Sequence, residues 1–118
     1  MGLDNHTTVI YGWKVEGRDK VSEFEEKLDN ANEDWWDEFL DEFFISDSMM
    51  GNYIYFGAIL VDYDAEWDDD AEVIIDNDLV KKCTAKYNKF IKDNPEISKV
   101  LDEYKDGKAH LYVFQHIW

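Results

Sequence analysis

Cysteine, proline and basic residues are all scarce in this chain of 118 residues. The single cysteine, Cys83, excludes an intramolecular disulfide, which fits a reducing compartment. The longest uncharged run, residues 48–61, has only 14 residues and is too short to form a membrane-spanning helix. The first residues have neither the basic nor the apolar stretch of a secretory signal. The sequence therefore predicts a cytoplasmic protein.

The shortage of bases leaves a large negative charge. Twelve Lys and Arg stand against 28 Asp and Glu, so the formal net charge is −16. A chain this acidic is not expected to bind nucleic acid or an anionic membrane through its overall field. Aromatic residues nevertheless make up 16% of the chain, whereas disordered acidic chains have few of them. We therefore expect one folded domain spanning residues 1–118.

The spacing of apolar residues predicts an α+β fold. Strands alternate with period two, and helices repeat apolar residues every three or four positions. The predicted strands are residues 7–16, 53–63, 71–76 and 108–118. One kinked helix or two consecutive helices are predicted over 21–44, and a further helix, interrupted at Asn94-Pro95, is predicted from 76 or 77 to 104. This β-α-β-β-α-β order is that of the ferredoxin-like plan, an antiparallel four-stranded sheet with helices on one face. The opposite face would need a cover, which a partner, a second copy or loops can supply.

The negative charge is concentrated in two blocks. Residues 21–48 hold 11 acids and one base, and residues 62–78 hold nine acids and no base. Residues 79–118 carry eight bases and five acids, for a net charge of +3. Acids that only solvate a surface are usually mixed with lysines, and self-repulsion destabilises a fold. The segregation therefore favours a functional role for the blocks, although solvation of exposed faces remains the alternative.

Acids separated by three or four helical residues lie on one face, and four residues of helix rise about 6 Å, similar to the spacing of phosphates along a duplex strand. The sequence thus predicts two carboxylate rows that fit a groove built to bind phosphates. The first row is Glu33, Asp34, Asp37, Glu38, Asp41 and Glu42, and the second is Asp62, Asp64, Glu66, Asp68, Asp69 and Asp70.

In size, charge and aromatic content along the whole chain, the sequence resembles the small acidic DNA-mimic proteins of phages, which inhibit restriction enzymes, CRISPR nucleases or other host nucleic-acid-binding proteins. It also resembles bacterial immunity proteins that neutralise nuclease toxins. No alignable motif carries either resemblance, so both are analogies between classes. They imply a non-enzymatic anti-defence (anti-restriction or anti-CRISPR) inhibitor acting in a bacterial cytoplasm through contact with a cationic nucleic-acid-binding protein, or an immunity protein for a co-encoded toxin.

Two tryptophans are candidate contact residues. Adjacent helical residues point about 100° apart, so one of Trp35 and Trp36 is expected in the core and the other at its edge. Trp67 stands inside the second acidic block, where burial is harder, and it is included in the predicted partner-binding set. Aromatic side chains beside charges are typical of interface hot spots. The alternative for Trp67 is that it folds back onto a neighbouring strand.

Metal binding and catalysis have weaker support. The acids at 62, 64, 66, 68 and 70 have the alternate spacing of a calcium loop, but Trp67 replaces its glycine and Val73 replaces its final glutamate. The sequence has no nucleophile elbow, phosphate loop or zinc spacing. We expect no catalytic residue, metal ligand or cofactor, and keep a small divalent-metal-binding or metabolic domain as an alternative. The predicted open sheet face also makes a homodimer a further possibility.

Overall fold

A four-stranded antiparallel sheet and four helices form the part of the chain that this computed structural model describes, residues 5–46, 51–65 and 74–117. The architecture is α+β, as the sequence predicts. The elements in chain order are β1 (Asn5–Glu16), α1 (Arg18–Ala31), α2 (Trp35–Phe39), β2 (Phe44–Ser46), β3 (Tyr53–Ala65), α3 (Asn77–Asp93), α4 (Pro95–Tyr104) and β4 (His110–Ile117).

The sheet has the order β2-β3-β1-β4, so the two longest strands lie at its centre. β1 and β3 pair from Asn5↔Ala65 to Glu16↔Tyr53. A bulge interrupts the register, because Val9 pairs with residue 61 whereas the next residue pairs with residue 59. The strands 53–65 and 5–16 are therefore fixed against each other over almost their whole length, which gives the molecule a rigid centre.

The main core lies between one face of this sheet and the helices. Phe24 of α1 stacks on Phe56 of β3 with ring centroids 5.4 Å apart, and it meets Tyr104 of α4 edge to face at 4.8 Å. Phe90 of α3 stacks on Phe43 at 4.1 Å. Most of the aromatic side chains that the structure describes are thus buried or partly buried. The fully or almost fully buried members of this core are Val15, Val21, Phe24, Leu28, Trp35, Phe43, Phe44, Ile54, Phe56, Ala58, Tyr87, Phe90, Ile97, Leu101 and Tyr104.

The opposite face of the sheet is buried at its centre. Ile10 is fully buried there, and it clusters with the buried Ile45 and Tyr55. Tyr112 of β4 meets Tyr55 edge to face at 5.0 Å. At these central positions, large side chains of neighbouring strands therefore pack together.

Two predicted strand positions need correction. The helical pattern over 21–44 ends early, because α2 stops at Phe39 and residues 44–46 form β2 instead of helix. The predicted strand at 71–76 is not confirmed, since residues 74–76 lie outside any strand and residues 71–73 lie outside the described residues. The neighbours of β3 are β2 and β1, so the predicted hairpin between 53–63 and 71–76 is replaced by pairing with 44–46. The exact predicted strand assignment is therefore not matched.

The ends of the C-terminal helices follow the sequence closely. Asp76 caps α3, as its carboxylate accepts a 2.9 Å hydrogen bond from the backbone N–H of Leu79. Pro95 stands at the first position of α4, where a missing N–H costs nothing. The break at Asn94-Pro95 turns the chain so that α4 packs on α1. None of the helices among the described residues has the length and apolarity needed to cross a membrane.

Polar contacts join α1 to α4 around this core. The hydroxyl of Tyr104 donates a 2.6 Å hydrogen bond to Glu23, and Lys27 lies 3.2 Å from Glu23 and 3.0 Å from Glu103. The Tyr104 hydrogen bond and then Lys27 lower the pKa of Glu23. Burial raises the pKa of Tyr87, whose hydroxyl has no hydrogen-bond partner among the described residues.

Candidate functional site

The first acidic block forms a compact surface that we call the acidic turn, residues 33–42. It is anchored from beneath by Trp35, which is 1% exposed and packs edge to face on Phe44 with ring centroids 5.1 Å apart. The indole N–H of Trp35 donates a 2.6 Å hydrogen bond to Asp29 at the end of α1. The turn is therefore tied both to the core and to the helix that precedes it.

Backbone and side-chain hydrogen bonds give the acidic turn a defined shape. The side-chain oxygen of Asn32 accepts from the N–H of Asp34 at 2.9 Å, and the N–H of Glu38 donates to the carbonyl of Asp34 at 2.9 Å. Asp37 and Glu38 occupy the first turn of α2, where negative charge is favoured by the helix dipole. The carboxylates of this helix thus stabilise it locally while they point to solvent.

All six predicted carboxylates of the first row are on the surface. Each belongs to an exposed residue, and residues 33–42 include no lysine or arginine. The residues are Glu33, Asp34, Asp37, Glu38, Asp41 and Glu42. The negative charge of this turn is therefore not neutralised by bases within the turn itself.

Four of the six acids of this row are not helical, contrary to the prediction. Asp41 has a left-handed backbone with φ of +68°, which Asp tolerates better than most residues, and its N–H donates to the carbonyl of Phe44 at 2.8 Å. Glu42 follows it in the same tight turn into β2. Only Asp37 and Glu38 lie within α2, since Glu33 and Asp34 form a turn before it, so the predicted regular helical, phosphate-like spacing does not hold along the row.

Trp36 is the exposed aromatic residue of the acidic turn. Its side chain is 40% exposed and meets Trp35 edge to face with ring centroids 5.4 Å apart. The expectation that one of the two tryptophans lies in the core and the other at its edge is confirmed. Because the ring is held by a buried neighbour, it offers apolar contact area with little motion left to lose on binding.

The second predicted row is described only in part. Asp62 lies exposed in β3 and accepts a hydrogen bond from the hydroxyl of the buried Thr8 at 3.4 Å. The backbone of Asp64 pairs within β3 opposite His6. The other predicted residues of this set, Glu66, Trp67, Asp68, Asp69 and Asp70, lie outside the described residues, as does most of the calcium-like spacing.

The acidic turn is linked to β3, the strand in which the second acidic row begins. The N–H of Gly57 in β3 donates to the carbonyl of Phe43, immediately after the acidic turn, at 3.0 Å. Asp62 follows Gly57 by five residues of the same strand, which corresponds to roughly 16 Å. The acidic turn and the start of the second row are therefore separated by a distance that one protein partner can span.

Helix α3 carries a basic surface, in line with the net charge of +3 over residues 79–118. Its exposed lysines recur in successive turns and are Lys81, Lys82, Lys86, Lys89 and Lys92. Lys86 lies 5.7 Å from the centre of the Phe43 ring. The repetition of lysine at three- and four-residue steps is the signal that identifies this face in the sequence.

The residues considered for catalysis or metal binding are not brought together. Cys83 is half-buried and packs against the main core, and His110 is exposed on β4. Within residues 5–46, 51–65 and 74–117, no three His, Cys, Asp or Glu side chains form a group suited to a metal ion.

Comparisons with models of protein families, with curated proteins and with solved structures found no match to this chain.

Proposed function

We propose that this protein is an acidic inhibitor that binds a cationic nucleic-acid-binding protein, such as a host defence nuclease, through the acidic turn. The observation that carries the proposal is the exposed carboxylate row of residues 33–42, free of bases and set around the half-exposed Trp36. A groove that binds DNA is lined with lysines and arginines that neutralise phosphates. The acidic turn offers carboxylates to the same cations.

Charge and the aromatic ring contribute differently to this binding. Long-range attraction between the acidic turn and a basic groove speeds encounter, and it weakens as salt screens the charges. Exposed ion pairs are worth only about 0.2–1 kcal/mol each, so they do not give tight binding alone. Trp36 supplies the apolar anchor, because exposed indole rings often dominate interface energetics.

The test measures inhibition of DNA cleavage by a panel of cationic defence nucleases, together with direct binding. Neutralising Glu33, Asp34, Asp37 and Glu38 to their amides is expected to weaken binding by about tenfold to a hundredfold. The matched control neutralises four exposed acids elsewhere, Asp19, Asp93, Glu96 and Asp106, and is expected to change binding much less.

Competition with DNA decides between mimicry and simple attraction. Duplex DNA in excess is expected to displace the protein from the nuclease, and raising the salt concentration is expected to weaken binding steeply. Binding that DNA does not compete with would refute occupation of the DNA groove. Equal losses in the control variant would refute the acidic turn as the binding surface.

Action as an immunity protein is the second candidate, and the same anchored, aromatic-centred acidic surface supports it. An immunity protein covers one toxin, so it is expected to inhibit a single co-encoded nuclease and no other member of the panel. A toxin gene next to this one would favour that role, whereas inhibition of several unrelated nucleases would favour mimicry.

We propose in addition that two copies associate through β4. This strand lies at one edge of the described sheet, and its exposed Leu111 and Val113 are 55% and 66% accessible. Residues 109–117 carry no Asp, Glu, Lys or Arg, so this edge lacks the charges that usually prevent strand pairing. Sedimentation velocity is expected to show a dimer that Val113→Lys converts to monomer, and a wild-type monomer at high concentration would contradict this.

For the fold we infer a ferredoxin-like relationship in which β2 is shortened. The support is that the two central strands are joined to the edge strands through helical segments, α1–α2 and α3–α4. In this interpretation the acidic turn is the tail of the first helical crossover.

A further inference from the structure

A groove of about 540 Å³ lies between α3 and the helix-facing side of the sheet, away from the acidic turn. Strands β1 and β3 contribute Tyr11, Trp13 and Ala58 to it, and α3 contributes Val80, Lys81 and Ala85. The volume falls within the range of sites for small organic molecules, about 300–1,000 Å³.

The aromatic part of the groove is held in place by contacts behind it. Trp13 stacks on Phe56 of the main core with ring centroids 5.5 Å apart, and its indole N–H donates to the carbonyl of Gly107 at 3.1 Å. Lys105 lies 4.7 Å from the centre of the same ring. The indole is therefore already positioned before any ligand arrives, which lowers the entropy lost on binding.

The charge of the groove is opposite to that of the protein. Among the residues that the structure describes, none that lines the groove is an Asp or Glu, and Lys81 is the charged one. Lys82 follows on the exposed surface of the same helix turn. A groove with an apolar aromatic side and a cationic edge is complementary to a molecule with a flat apolar body and one anionic group.

We propose that this groove binds a small planar aromatic carboxylate. The ring system lies against Tyr11 and the edge of Trp13, because Phe56 and Lys105 pack on the faces of the indole. The carboxylate pairs with the ammonium group of Lys81. The proposal does not depend on the acidic turn, since none of residues 33–42 lines the groove. It assigns this second surface to a small molecule and leaves the protein partner to the first.

The test uses 1-naphthoate as the probe and its uncharged analogue 1-naphthamide as the control ligand, titrated into the isotopically labelled full chain. The expected dissociation constant for naphthoate is on the order of 0.1–1 mM, as befits a small ligand. Amide NMR shifts are expected to cluster at Ala58, Ala85 and their groove neighbours. Decanoate serves as an aliphatic carboxylate of comparable charge, and it is expected to bind more weakly because it does not stack.

Two variants test separately the contribution of the Lys81 charge and that of the open volume of the groove. Lys81→Met is expected to weaken naphthoate binding about two- to fivefold and to leave naphthamide binding unchanged. Lys82→Met, on the same helix but outside the groove lining, is the matched control and is expected to change neither. Ala85→Trp places a large side chain in the groove from an exposed helical position, and it is expected to abolish binding of both ligands while the melting temperature stays close to that of the wild type.

Several results would overturn the proposal. One is the absence of any shift at about 5 mM naphthoate, well above the expected dissociation constant. A second is a pattern of shifts centred away from the groove, or binding that survives Ala85→Trp. Equal loss in Lys81→Met and Lys82→Met would show that only the general charge of α3 matters, and tighter binding of decanoate would exclude an aromatic ligand.

Discussion

Trp35→Ala is expected to lower the free energy of unfolding by about 3–5 kcal/mol, the usual range for truncating a buried tryptophan. Trp35 is 1% exposed and packs edge to face on Phe44, which is itself fully buried. The space left behind lies between α2 and the core, so its lining loses contacts on one side. The variant should also make the acidic turn more mobile, because the hydrogen bond that joins it to Asp29 of α1 is lost with the ring.

Urea unfolding monitored by circular dichroism measures this effect. Two matched variants separate the contribution of the buried ring from that of its N–H and from that of the exposed neighbour. Trp35→Phe keeps most of the ring and removes the indole N–H, so it is expected to cost about 1–2 kcal/mol. Trp36→Ala removes the adjacent, 40% exposed indole and is expected to change stability by less than about 1 kcal/mol.

The adjacent tryptophans also separate folding from binding. Trp36→Ala is expected to weaken binding to a cationic partner about tenfold or more without unfolding the protein, as is common for an aromatic residue at the centre of an interface. If Trp35→Ala and Trp36→Ala proved equally destabilising, the division into a buried anchor and an exposed contact residue would be wrong.

Local sequence features were enough to predict the ends of the two C-terminal helices. The cap at Asp76 and the start of α4 at Pro95 depend on one or two neighbouring residues, so a sequence pattern contains what is needed. The central strand, predicted at 53–63 and found at 53–65, is also evident, since β-branched and aromatic residues predominate in it.

The short strand β2 was not predictable in this way. Phe43 and Phe44 fit the end of a helical stripe as well as they fit a strand, because both are buried in either structure. The choice is made by distant partners: Phe43 stacks on Phe90 of α3, and residue 44 pairs with residue 56 of β3. A tertiary contact therefore overrides the helical periodicity, and Asp41 takes up the change of direction with its left-handed backbone.

The acidic turn and the groove beside α3 also differ in how far the sequence alone predicts them. Exposure of the acids in residues 33–42 follows from their chemistry, since Asp and Glu are rarely buried. The groove beside α3 has no such local signal, because Tyr11, Ala58 and Val80 are ordinary core-type residues in the sequence. Only the path of α3 across the sheet leaves space between them.

Gly57→Ala is expected to lower the free energy of unfolding by about 2–6 kcal/mol, through two additive causes. Gly57 has φ of +146°, a backbone conformation that costs other residues about 1–3 kcal/mol. A Cβ at this position would also lie much closer than 3.0 Å to the carbonyl oxygen of Tyr11 in the paired strand, an approach that real Cβ atoms essentially never make. Such overpacking costs about 1–3 kcal/mol. Since the N–H of Gly57 bonds the carbonyl of Phe43, the strain should spread to the acidic turn.

Two other glycines isolate the two causes, with thermal and urea unfolding as the measurements. Gly12, which pairs with Gly57 across the strands, has no positive φ, but its Cβ would collide with the carbonyl oxygen of Phe56, so Gly12→Ala reports the close approach alone. Gly17 has φ of +106° with nothing within 4 Å of an added Cβ, so Gly17→Ala reports backbone strain alone, about 1–3 kcal/mol. The loss of unfolding free energy should be larger for Gly57→Ala than for Gly17→Ala. The reason is that β3 cannot move away from β1 without breaking the pairing that continues on both sides of Gly57 and Gly12. If the two variants were equally stable, the central strands would not be held as closely as their register requires.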